Sequence, residues 1–161
     1  MRTIFLLMSL FSLMSCGGGG YPSSADADSR YSLIADDAFA GSSVNVLAGV
    51  KQTLFTHGQF QYAAYYNANR HLVLAKRPTD AKSWQTQVTP YTGNVDDAHN
   101  HISLVVDADG YLHIAWDHHN SPLNYARSVT PGALKLERKP MLGEPQAANE
   151  AGENSVTYPQ F

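Results

Sequence analysis

DDAHNHISLVVDADGYLHIAWDHHNSPLNYARS, residues Asp96 to Ser128, is the stretch whose reading decides the fold. It carries five of the chain's seven histidines: His99, His101, His113, His118 and His119. Two segments alternate with the period of a strand. Ile102, Leu104 and Val106 share one face, with His99, His101, Ser103 and Val105 on the other. Leu112, Ile114 and Trp116 share a face of the second segment, opposite Tyr111, His113, Ala115 and Asp117. Asp107-Ala108-Asp109-Gly110 between them reads as a hairpin loop, closed by a positive φ at Gly110. An antiparallel hairpin carries the start of its first strand to the end of its second. His99 and His101 are therefore expected beside Asp117, His118 and His119, and that cluster is a candidate site.

Outward from this hairpin the chain keeps the same style. Gln59 to Tyr66 and His71 to Lys76 read as another strand pair, turning at Asn67-Ala68-Asn69-Arg70. A shift of 40 residues lays Ala68 on Ala108, Leu72 on Leu112 and Ala75 on Ala115, with Asn67 and Asn69 on Asp107 and Asp109. Repeats near this period, built of short strands and turns, point to an all-β fold of the β-propeller kind, with about two to three blades in this chain. Asn124 to Val129 reads as a further strand, Thr130-Pro131-Gly132 as a turn and Leu134 to Pro140 as a weak outer strand. Gln146 to Asn154 reads as loop, and Ser155 to Phe161 as the start of another blade's inner strand. No long amphipathic helix is legible.

The 161 residues suffice for one domain with a real core, and a net charge of −3 argues against a nucleic-acid partner. Cys16 is the single cysteine, so no disulfide framework lies within the chain. Met1-Arg2 followed by the apolar run Thr3 to Met14 has signal-peptide length and is too short for a comfortable membrane span. Leu13-Met14-Ser15-Cys16 resembles the lipobox of bacterial lipoproteins, in which the cysteine is lipidated and becomes the mature N-terminus. The expected organisation is a signal peptide over 1–15, a lipidated Cys16 with a Gly/Ser/Asp-rich tether over 16–30, and a partial propeller over 31–161. An ordinary secretory signal with a chance cysteine is the alternative. Both readings export the protein, to the bacterial cell envelope (outer membrane) or the medium, and membrane contact is expected only through the lipid.

QYAAYYN, the long DDAHNH…DGYLHIAWDHHN string and SVTYPQF together resemble the BNR-4-type repeat proteins, and more narrowly the β-propeller lyases that cleave ulvan. Ulvan is a sulfated algal polysaccharide of rhamnose and uronic acid. The resemblance implies a seven-bladed ring, of which this chain matches the N-terminal blades. It also implies cleavage of a 4-linked uronate by β-elimination, with an acidic polysaccharide as partner. A catalytic tyrosine and a carboxylate-neutralising arginine are expected further along that ring.

That elimination requires a base for the proton beside the carboxylate, electrostatic relief of the carbanion, and an acid for the departing oxygen. Histidine suits acid and base work because it titrates near neutrality. The resemblance makes His99 the acid/base and His119 its partner at the substrate carboxylate, with His101 and His118 as reserves. Asn100 and Asp117 are expected to orient imidazoles, and Tyr111 and Trp116 to meet sugar rings, with a core role as the alternative for both aromatics. His113 reads as structural. No cofactor is required. Zinc by ligand type and calcium at Asp107-Ala108-Asp109-Gly110 stay open as structural cations, without a motif for either. The competing functions are a non-catalytic carbohydrate-binding propeller and a sialidase-like hydrolase. The latter would want paired carboxylates and an arginine cluster.

Overall fold

The computed structural model describes residues 31–46, 52–141 and 153–161. The signal segment, Cys16, the tether and most of the 146–154 loop lie outside them. Among the described residues there is no helix. Ten strands form: β1 (Leu54–His57), β2 (Phe60–Tyr66), β3 (His71–Pro78), β4 (Gln85–Thr92), β5 (Ile102–Val106), β6 (Leu112–Trp116), β7 (His119–Ser121), β8 (Tyr125–Ser128), β9 (Leu136–Arg138) and β10 (Val156–Thr157).

They make two four-stranded antiparallel sheets, β1-β2-β3-β4 and β5-β6-β8-β9, and a two-stranded ribbon of β7 and β10. Each four-stranded sheet is one blade of a propeller-type fold. β1 lies against β5, and Gln52 bridges Ser103 in parallel, so the two blades meet along their first strands. The blades then pack face to face. Tyr62, Ala64, Tyr66, Leu72 and Leu74 of the first meet Ile102, Leu104, Leu112, Ile114 and Trp116 of the second in one apolar core. The alternation in β5 and β6 thus marks the face that enters this core, where each of these side chains is at most a few per cent exposed, while Ser103 and Ala115 on the other face are buried too. Leu72-Val73-Leu74-Ala75 is buried throughout, as expected of a strand paired on both edges and covered on both faces.

The turns follow the chemistry of their residues. Asn67 Oδ1 accepts from the backbone N–H groups of Asn69 and His71, while Arg70 takes a φ of 66°. In the second hairpin Asp107 Oδ1 accepts from Tyr111 N–H, and Gly110 takes the expected positive φ, 84°. Asp107 Oδ2 also reaches His113 Nε2 at 2.8 Å, and His113 Nδ1 meets the Tyr125 hydroxyl at 2.6 Å. His113 is therefore structural, and the Asp107 carboxylate is occupied by the turn and by that ring.

Three elements differ from expectation. The 40-residue match superposes β2–β3 on β5–β6, yet these are the second and third strands of one sheet and the first and second of the other. What repeats is the chemistry of a hairpin, out of step with the blade. β4 has almost no apolar signal, being mostly exposed and interrupted by Pro90; its ladder to β3 and the Thr89 hydroxyl on Leu72 O hold it. The C-terminal segment pairs through only two residues, on the short strand β7.

Candidate functional site

The connection from β4 to β5 and the one from β6 to β8 converge at one end of the second blade. Asn100 N–H closes a turn on Asp97 O, so the strand alternation stops at Ile102 and His99 projects away from His101. Three bonds fix this turn to the fold. The buried Tyr66 hydroxyl donates to Asn100 O at 2.8 Å, Asn100 Nδ2 donates to Asn94 O, and Asn94 N–H donates to Asp117 Oδ1 at 2.8 Å. Arg70 adds a bidentate pair with Asp96, at 2.6 and 3.1 Å. Asp117 and Asn120 have φ values of 66° and 56°, which lets the chain after Trp116 double back towards this turn. Such backbone in non-glycine residues is held by its surroundings and is found at functional sites.

The result is a pair of imidazoles clamped by one carboxylate. His99 Nδ1 lies 2.5 Å from Asp97 Oδ1, and His119 Nδ1 lies 2.6 Å from Asp97 Oδ2. The two rings stack with centroids 4.2 Å apart. Their side chains are 46% and 47% exposed, so substrate can reach them. Hydrogen bonds from His119 and then from His99 hold the Asp97 carboxyl well below the usual carboxylate range. With both Nδ1 atoms committed to Asp97, each ring keeps its Nε2 for other chemistry. Tyr158, at a φ of 53°, stacks on His101 (5.3 Å) and tilts against His99 (5.6 Å). Asn94, Asp97, Asn100, Asp117, His119 and Ser121 line a polar cavity here. Asp117 also borders an adjoining cavity lined by Tyr91, Asn124 and Arg138.

Of the four histidines expected at the site, the structure brings together His99 and His119. His118 is fully buried and its Nε2 accepts from Asn124 N–H at 2.7 Å. Burial first, then the nearby His101 and Arg138, push its pKa down to about 4, so it is a neutral structural ring. His101 is also buried, beneath Tyr158. Trp116 is packed in the core and only borders the adjoining cavity. It is 2% exposed, stacks on Tyr91 at 4.8 Å, and donates its indole N–H to Thr92 O. Tyr111 lies at the far end of the hairpin from the histidine pair, under the Arg127 guanidinium, and so is not at the site. Asp97, not Asp117, clamps the imidazole pair; Asp117 instead ties the two loops together, and Asn100 anchors the turn. Sequence reasoning missed Asp97 and Tyr158. Asp97 carries a local signal, an Asp two residues before His99 whose Oδ1 caps the His99 N–H. Tyr158 carries none, because it arrives from outside the hairpin.

The model of the BNR repeat-containing family matches residues 60–161. The chain belongs to this family. Among solved structures this BNR-repeat protein is similar to an ulvan lyase of a new polysaccharide lyase family, with a TM-score of 0.55 and 15% identity. The match covers 78% of this chain and 31% of the other, so the chain spans about a third of that structure's length. The likeness shows the fold. No curated protein matches the chain.

Proposed function

We propose that this BNR-repeat protein contributes the histidine pair of a polysaccharide lyase that cleaves 4-linked uronates in ulvan or a related acidic polysaccharide. The observation that carries the reading is the Asp97 clamp, which presents two imidazoles side by side with their Nδ1 atoms fixed. In this reading the lone pair on His99 Nε2 takes the proton beside the uronate carboxylate. Electrons of the broken C–H bond form the ring double bond, and the bond to the leaving oxygen breaks. His119 serves in this reading as the imidazolium, keeping Nδ1–H on Asp97 and donating Nε2–H to the substrate carboxylate, where it stabilises the charge that develops. Tyr158 is the hydroxyl group in ring contact with His99, and is assigned to protonating the departing oxygen. Arg138, over the Tyr91 and Trp116 rings in the adjoining cavity, supplies a cation for a neighbouring anionic sugar.

Removal of a general base costs about two to four orders of magnitude in rate. His99→Ala is expected to lose that much activity on ulvan with its melting temperature unchanged, and His119→Ala to slow turnover strongly. His71→Ala, whose ring meets Thr89 O, is expected to leave turnover unaltered. Near-wild-type rates in both site variants would remove the basis of the reading. A carbohydrate-binding module would retain the polymer and release nothing. Leu13-Met14-Ser15-Cys16 supports export with lipidation at Cys16, which would hold the protein at the cell envelope where such polymers are met.

A further inference from the structure

Asp97, His99 and His119 place two ring nitrogens and a carboxylate oxygen within 4.8 Å of one another. Zinc bonds to imidazole nitrogen and carboxylate oxygen run about 2.0–2.2 Å, so donors around a tetrahedral ion stand about 3.3–3.6 Å apart. The widest pair must therefore close by roughly 1.2–1.5 Å, which rotation of the half-exposed side chains allows. The donor set is nitrogen-rich and small, which suits zinc; calcium takes six or more oxygens. Three protein ligands with the remaining position open to solvent is the pattern of accessible zinc sites. The supporting layer is present: His99 N–H donates to the same Asp97 oxygen, and Asn94, Asp117 and Ser121 line the cavity alongside.

We infer that Asp97, His99 and His119 bind a zinc-class divalent ion through both Nδ1 atoms and the carboxylate, and that this ion sets the tautomer of both rings. The site goes beyond the lyase reading and does not depend on it. Metal-free, each neutral ring carries its proton on Nδ1, donated to Asp97, and a lone pair on Nε2. Ligation needs the Nδ1 lone pair, so the proton moves through solvent to Nε2 and a neutral ring loses none. Both Nε2 atoms then become donors. If His99 is the lyase base, the loaded protein is inactive, and a chelator restores it.

The test is calorimetric titration of Zn²⁺, with Ca²⁺ in parallel, into chelator-stripped full-length protein. Long-range proton–nitrogen spectra of the histidine rings accompany it. The expected results are one Zn²⁺ per chain, no Ca²⁺ uptake, and a change from Nδ1–H to Nε2–H in two rings. Loss of even an outer-shell partner weakens metal binding about 10- to 100-fold, so Asp97→Asn and His119→Ala are each expected to weaken it at least tenfold. Asp97→Glu retains a carboxylate and should recover most of the affinity, which separates ligation from a folding defect. His57→Ala should change nothing. No stoichiometric Zn²⁺ uptake, uptake unaltered by Asp97→Asn and His119→Ala, or unchanged tautomers in the loaded protein would each overturn the inference. Zinc binding without any lyase product would retire the lyase reading and leave the metal site standing.

Discussion

Acid should weaken this fold through His118, well before its carboxylates titrate. The ring is fully buried, and its pKa falls from 6.5 to about 4. In the unfolded chain the imidazole takes up a proton near pH 6.5, whereas the folded protein resists until near pH 4. Between those values the unfolded state binds more protons, so stability is complete above about pH 6.5 and is lost as pH falls. At 1.36 kcal/mol per pKa unit the full loss is about 3 kcal/mol, of which about 2 kcal/mol falls between pH 7 and pH 5. For a domain of this size that is a melting-temperature drop of roughly 5–10 °C. The lowered carboxylates Asp97, Asp107 and Glu137 add their own loss only at lower pH. His118→Gln places an acceptor near the Asn124 N–H without a group that titrates. Thermal melts of both proteins at pH 7 and pH 5 should show the wild type losing about 2 kcal/mol more than the variant. Parallel curves would show that His118 is not held neutral by burial, and its assignment as a structural ring would fall.

Three further outcomes follow from particular contacts. Trp116→Ala empties the centre of the core between the blades and should cost about 3–5 kcal/mol by denaturant titration, where a solvent-facing sugar platform would cost little. Tyr66→Phe removes the donor to Asn100 O and should destabilise by about 1–3 kcal/mol, because that carbonyl is left buried and unpaired; protection of the Asp97–Asn100 amides from hydrogen exchange should fall with it. Cys16→Ala should abolish lipid labelling and membrane partitioning of the exported protein; a fully soluble wild type would count against the lipobox.

How much of this was legible in the sequence follows from the range of each interaction. The β5–β6 hairpin was readable because only one of its faces joins the apolar core, which imposes a period of two, and because Asp107 and Gly110 are what its turn needs. β4 was not, since pairing with β3 holds it and Gln85-Thr86-Gln87 carries no apolar period. The histidine cluster was visible as a group, but not its sorting. A turn at Asp97–Asn100 breaks the alternation that would have put His99 and His101 on one face. Positive φ at Asp117 then turns His119 outward while His118 stays buried. Trp116 and Tyr111 were open between core and sugar contact because aromatic side chains serve both, and only packing against Tyr91 and Arg127 decides. Tyr158 lies far along the chain from the histidines it touches, beyond the reach of any local pattern.

The lyase reading is tested most directly by the product formed on ulvan. Elimination leaves a conjugated double bond in the new terminal uronate, which absorbs ultraviolet light where the intact polymer does not. The account predicts that the wild-type protein, stripped of metal, produces this absorbance in step with new reducing ends, and that His99→Ala produces neither. New reducing ends without the absorbance would mean hydrolysis, and would contradict the account at its centre.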